Sequence, residues 1–261
     1  MKYPALEKYL ARLNDTVKEE SRVWLDAEGR AQGKYFNTTL TSAFQPIRVF
    51  GSPDVAEASI VAQEGFARSY AQDDSGLHLW RLLDQAASDD ESVALDRLCR
   101  VLHTVNFYRQ TDDIVSLHLS VHARLLAAVD SNHGIAFRRI LNLLELPHDK
   151  IVLQMPLVTA NQGWLLNYVL DNYRRNGFKL GTSASDAREL NNEADTERLL
   201  CQTAALGIQV VFKRVENPQV GARLQQFSRE LAQPVYAQGY LWDMPGASLT
   251  RPASQSLPRV A

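Results

Sequence analysis

Apolar positions along this chain change period repeatedly, and each change marks a new element. In "SVALDRLCRVLHTVNFYR", residues Val93, Leu95, Leu98, Val101, Leu102 and Val105 recur at helical spacing, so the segment reads as a helix with one apolar face. "DIVSLHLSV" follows, short and β-branched, and reads as a strand. The alternation continues with a helix near "HGIAFRRILNLLELP", the strand "KIVLQMPL", the helix "QGWLLNYVLDNYRRNG" and the strand "FKLGTS". Then come the helix "DTERLLCQTAALG", the strand "IQVVFKRVE", the helix "VGARLQQFSRELA" and the strand "VYAQGYLW". Ahead of all these, "MKYPALEKYLARLNDTVKEE" is an amphipathic helix and "SRVWLDAEGRAQGKYFNTTL" gives two short strands around Ala27-Glu28-Gly29. "TSAFQPIRVF" reads as a strand ending near Pro46, and "ASIVAQEGFARSY" as another.

Strands alternating with helices of about ten or more residues imply repeated βαβ units and a parallel sheet. Roughly seven such strands favour a closed α/β barrel of the TIM type, (β/α), over an open doubly wound sheet. No glycine-rich dinucleotide loop follows an early strand, which also disfavours the open sheet.

Composition then narrows the partners. The chain has 261 residues, 45% of them apolar, enough for one sizeable core. A net charge of −2 and a pI near 6.3 argue against direct nucleic-acid binding. No apolar run approaches the ~20 residues of a membrane span, and the N-terminal helix lacks the apolar core of a signal peptide. Cys99 and Cys201 sit inside apolar helical patterns and read as buried free thiols of a reducing compartment. The expectation is a cytoplasmic protein that does not engage a membrane.

In such barrels chemistry gathers at the C-terminal ends of the strands. Those ends deliver Glu64 and Arg68, His118 and Ser120, Gln154, Ser183, Lys213 and Glu216, and Gln238 and Tyr240. A divalent-metal hydrolase needs several converging carboxylates. Here there are Glu64 and Glu216, and a lysine where a buried strand ends.

The fragments "FQPI", "EGFAR", "LHLS", "IVLQM", "NGFKLGTSAS", "ALGIQVVFKRVE" and "QGYLWDMP" resemble, in order, the signatures of the EAL-domain family. Its members are bacterial cyclic di-GMP phosphodiesterases on a (β/α) barrel. The resemblance runs from Thr41 to Pro245 and divides the chain into a helix-and-hairpin extension (1–40), a degenerate EAL barrel (41–246) and a flexible tail (247–261).

Departures from the family pattern carry the functional expectation. Glu-Ala-Leu appears as Glu64-Gly65-Phe66, so the family's metal-binding glutamate survives, as does the dinucleotide-contacting arginine at Arg68. The asparagine ligand of the third strand is His118, and the glutamate ligand of the fourth is Gln154. Asp-Asp-Phe-Gly reads Ser183-Ala184-Ser185-Asp186, and Glu-Gly-Val-Glu reads Lys213-Arg214-Val215-Glu216. Gln238 matches the glutamine of Gln-Gly-Tyr. Between Ser185 and Thr196 stands only "DARELNNEAD", too short for a helix, a strand and their loops. The family's sixth strand, with its catalytic lysine, is therefore shortened or missing.

Four lost carboxylate ligands and a gained cation imply that the chain is not an enzyme and holds no metal or other cofactor. The candidate pocket, ligand-binding or vestigial, comprises Gln45, Glu64, Arg68, His118, Gln154, Lys213, Glu216 and Gln238. Individual residues keep two readings. His118 is a zinc ligand or a neutral histidine hydrogen-bonded in the barrel mouth. Arg68 grips a phosphate or pairs with a nearby acid. Lys213 fills part of the space a metal takes in active relatives and pairs with Glu64 or Glu216. The N-terminal helix docks a partner or caps the barrel. Two functions follow: a regulator acting through a protein partner in bacterial signalling, which is favoured, and a metal-independent cyclic di-GMP receptor. An active phosphodiesterase ranks last.

Overall fold

A computed structural model of the chain describes residues 3–15, 22–52, 58–69, 88–111, 115–122, 125, 134–156, 163–184 and 193–250. Helix α1 (Pro4–Asn14) and a hairpin of β1 (Val23–Leu25) and β2 (Ala31–Tyr35) lead into the long strand β3 (Thr38–Phe50). Then follow β4 (Ser59–Ser69), α2 (Asp89–Tyr108), β5 (Ser116–Ser120), α3 (Ile135–Leu143), β6 (Ile151–Met155), α4 (Gly163–Arg175) and β7 (Lys179–Ala184). Helix α5 (Glu193–Ala205), β8 (Ile208–Phe212), α6 (Pro218–Glu230) and β9 (Val235–Ala237) complete the order. Where a cap is visible, the local chemistry explains it. Ser88 accepts from the Glu91 amide at the start of α2, and Asn217 accepts from the Val220 amide at the start of α6, with Pro218 as its first residue.

Strands β3 to β9 close into a barrel through the β3–β9 pairing, which joins Arg48 to Ala237 and Phe50 to Val235. The barrel thus has seven strands. β4 through β9 pair in parallel, as the βαβ pattern implies. β3 departs from that expectation and runs antiparallel to both neighbours. Its link to β4, residues 51–58, is too short for a helical crossover, so the two form a hairpin.

The strand expected to end near Pro46 continues to Phe50. β2 pairs with β3 only as far as Leu40 and β9 only from Arg48. Pro46 therefore sits in a gap in the ladder on that side, where its missing N–H costs little.

Among the described residues no strand stands where the family pattern has its sixth. β7 pairs directly with β8, from Leu180 opposite Ile208 to Ala184 opposite Phe212. Most of the short "DARELNNEAD" link lies outside the described residues.

Strand alternation sorts the core into two faces. Outward residues such as Leu117, Leu119, Leu153 and Leu180 pack with Leu95, Leu102 and Val105 of α2 and with Val169 and Tyr173 of α4. Inward residues Ile47, Ala62 and Val211, with Tyr236 against them, fill the barrel interior. Two residues further along β4 and the β8 end lie Glu64 and Lys213, so this apolar layer floors a polar mouth.

Helix α1 buries Tyr3, Leu6, Leu10 and Leu13, with the Tyr3 ring edge-on to Tyr108 at 5.3 Å. Its apolar stripe is thus packed within the fold. The tail expected to be flexible from residue 247 is tied down as far as Thr250. Gly246 bridges to Phe44, Leu249 N donates to Gln110 Oε1, and Gln63 Nε2 donates to the Thr250 carbonyl at 2.8 Å. This strap lies along the β3–β4 hairpin, which has no crossover helix of its own to cover it. Residues 251–261 lie outside the described residues. No helix among the described residues is long and apolar enough to cross a membrane. Both cysteines are free thiols, but only Cys99 is buried as expected; Cys201 is exposed.

Candidate functional site

The inward alternation brings Glu64 of β4, His118 and Ser120 of β5, Gln154 of β6 and Lys213 past β8 to the C-terminal end of the barrel. Glu64 is fully buried. Its Oε1 accepts from Lys213 Nζ at 2.6 Å and from Ser120 Oγ at 2.8 Å. Among the described residues its Oε2 has no hydrogen-bond partner. Lys213 therefore pairs with Glu64 and not with Glu216, and its side chain is 18% exposed.

His118 belongs to the same layer. Gln154 Nε2 lies 2.9 Å from His118 Nδ1. An amide nitrogen only donates, so Nδ1 accepts and the ring proton sits on Nε2. Burial first, and then the nearby Lys213 charge, push the His118 pKa down to about 3. His118 is a neutral hydrogen-bonded histidine.

The other predicted residues fall into two groups. Gln238 Nε2 donates to the Gln45 carbonyl at 3.2 Å, and Gln45 Nε2 donates to the Asp243 carbonyl at 2.7 Å. Both buried amides are spent on holding β3 to the turn after β9. Arg68 and Glu216 stand exposed at the ends of their strands, and neither lines the pocket.

That pocket, about 460 Å³, runs from Glu64, Ser120, Ser183, Lys213 and Arg214 sideways to one face of α2. There the buried Arg100 Nε lies 2.6 Å from Asp96 Oδ2. Its guanidinium stands 5.6 Å from the Phe137 ring and 5.8 Å from the Tyr173 ring. Burial pushes the Asp96 carboxyl above its usual range, against the pull of Arg100. One turn on, His103 Nδ1 lies 2.8 Å from Ser42 Oγ. Asn106 Nδ2 donates to that same oxygen, and burial lowers the His103 pKa to about 3.

The α2 wall is absent from the sequence-derived site. Its signal was present: Asp96, Arg100 and His103 recur at i, i+4 and i+7 on a helix whose other periodic positions are apolar. A second hollow, about 370 Å³, opens at the N-terminal ends of β7 and β8, away from these groups.

The donor set does not fit a divalent cation. Among the described residues no three His, Cys, Asp or Glu side chains converge. At the mouth the buried carboxylate is engaged by an ammonium at 2.6 Å, and a cation there repels a second one. Gln154 and neutral His118 offer no charge to offset it.

No protein-family model matches the chain, and no curated protein sequence does. Solved structures do match its fold. Klebsiella pneumoniae BlrP1, solved with FMN and cyclic di-GMP and without metal ions, superposes with a TM-score of 0.60 at 17% identity, over 80% of this chain and 54% of its own. The Bacillus subtilis YkuI protein, with an EAL domain and in complex with substrate c-di-GMP and calcium, gives 0.63 at 14% identity, over 82% and 57%. A standalone EAL protein from Vibrio cholerae, bound to c-di-GMP, gives 0.61 at 16% identity, over 85% of this chain and 98% of its own. This chain spans a little over half of the first two proteins. The fold is that of the EAL domain, as the fragment order implied.

Proposed function

We propose that this chain is a non-hydrolytic EAL-fold regulator that acts through contact with a protein partner in bacterial signalling. The observation that carries this reading is the Lys213–Glu64 ion pair. The buried Glu64 carboxylate of the mouth is engaged by an ammonium, where hydrolysis on this fold would call for cations to activate water. The neutral Gln154 and His118 beside it support the same reading. Incubation with cyclic di-GMP and magnesium or manganese should give no turnover. Turnover above a metal-free blank, abolished by Glu64→Ala, would overturn it.

A second reading, a metal-independent receptor for cyclic di-GMP, is favoured by one comparison: BlrP1 was solved with that ligand and no metal ions. Against it, Gln45 and Gln238 donate internally rather than into the pocket. Titration calorimetry with cyclic di-GMP, with and without magnesium, separates the two. Metal-independent binding selects the receptor, and absence of heat in both selects the partner-binding regulator.

A further inference from the structure

The turn that carries Lys213 also carries a residue its backbone disfavours. Arg214 has φ 60°, in the left-handed region that glycine adopts freely and a residue with a Cβ does not. The family signature reads glycine at this position. Strain of this kind clusters where a side chain is needed for function. Arg214 is exposed and lines the rim of the pocket. The remaining charges of the lining are matched, Lys213 with Glu64 and Arg100 with Asp96. Arg214 has no ion-pair partner among the described residues. Among the described residues the lining therefore carries one unpaired positive charge, at its edge.

The turn that carries Arg214 is joined to a turn that bears exposed large side chains. Val215 N donates to the Gln238 carbonyl at 3.1 Å and Leu241 N to the Val215 carbonyl at 3.0 Å, which clamps the turn at 213–216 to the turn at 238–241. Tyr240 is 58% exposed and Met244 is 69% exposed. Their backbone is nonetheless held firmly. Trp242 N and Asp243 N both donate to the Gly239 carbonyl, and the Asp243 carboxylate pairs with Arg48 at 2.8 Å. Arginine, tyrosine and methionine are enriched at interface centres, and a rigid presentation lowers the entropy lost on binding.

We propose that Arg214, Tyr240 and Met244 form the docking surface for an acidic segment of a partner protein. One carboxylate of that segment pairs with Arg214, and an apolar side chain packs on Tyr240 and Met244. This rests on the partner-binding reading above and adds to it the place of contact and the chemistry of the partner. The complementarity is electrostatic: an acidic segment neutralises the open charge, and a basic one is repelled.

The test selects random peptides displayed on phage against the immobilised full chain, then measures the enriched peptides by fluorescence anisotropy. They should carry Asp or Glu next to an aromatic or aliphatic residue. Arg214→Gly, which restores the residue its backbone favours, should weaken them about tenfold or more while raising the melting temperature. Tyr240→Ala should weaken them as well. Arg214→Glu should abolish binding, and peptides with Lys in place of the acid should recover on it. Enrichment of neutral or basic peptides, or acidic peptides indifferent to Arg214→Gly and Tyr240→Ala, overturns this surface and leaves the partner-binding reading in place. No enrichment, with cyclic di-GMP binding lost in Arg214→Gly, assigns the arginine to the nucleotide and overturns both.

Discussion

Lys213 Nζ lies 2.6 Å from Glu64 Oε1, and this contact ties the second strand of the barrel to its sixth. Glu64 is fully buried and the Lys213 side chain is 18% exposed, so removing the lysine strands a buried carboxylate. Lys213→Ala should cost about 1–3 kcal/mol, the range for a buried polar or charged group left unmet. Glu64→Gln in the same chain should return part of that loss, because the stranded charge is gone. Urea unfolding of the two single variants and the double variant closes the cycle. Strictly additive effects would show that the two groups do not interact in solution.

Relief of backbone strain gives a second expectation. Arg214→Gly should stabilise the fold by about 1 kcal/mol, since a left-handed residue with a Cβ bears roughly that penalty. Thermal unfolding reads this as a rise in melting temperature. A fall would mean that the arginine side chain contributes more to the fold than its backbone conformation costs.

Joining of the two mouth turns depends on Gly239. A Cβ on that residue would overlap the backbone of Val215. Gly239→Ala must therefore push apart the turns at 213–216 and 238–241, at a cost of about 1–3 kcal/mol for forced overpacking. Hydrogen exchange should show the Val215 and Leu241 amides losing protection in this variant. Unchanged protection at both would contradict the close approach.

Stability should fall in mild acid for a definable reason. His103 and His118 both have pKa values lowered to about 3 in the fold, against roughly 6.5 in the unfolded chain. Between those values the unfolded state binds more protons, so stability is complete above pH ~6.5 and drains as pH falls toward ~3. Each buried histidine adds a slope of about 1.4 kcal/mol per pH unit within that window. His118→Asn, which cannot titrate, should flatten the decline between pH 6.5 and 4.5 by about 2–3 kcal/mol. Denaturation midpoints at the two pH values, compared with the parent chain, supply the number. An equal decline in both chains would mean that His118 is protonated without unfolding.

The elements were legible because their periods differ. Leu98, Leu102 and Val105 could belong only to a helix, and Ile208 to Phe212 only to a short buried strand. Direction was less legible. Nothing in the residues of β3 states that it runs against its neighbours, because direction follows from how few residues separate it from β4. Pro46 misled for a physical reason, since its cost depends on whether a partner strand needs its N–H, and here none does. Lys213 opposite Glu64 was readable from a gained cation set against a surviving acid. The α2 wall was not taken up, because Asp96, Arg100 and His103 look like ordinary polar positions until the helix is laid over the mouth. Gln45 and Gln238 matched a binding signature, yet their amides serve the turn after β9, a contact fixed only by tertiary closure.

The strap that ends at Thr250 also bears on the order in which the chain can fold. Arg48 and Asp243, which form an ion pair across the closing seam, are 195 residues apart in sequence. Contacts of such separation form late, because the loop between them must first be ordered. Until residues 235–250 have been synthesised, β3 has no partner on its β9 side and no cover over its outer face. A growing chain in that state presents an open strand edge and uncovered apolar surface to any neighbour. Its exposure to aggregation is thus set by how quickly those sixteen residues arrive and dock, rather than by the stability of the finished barrel.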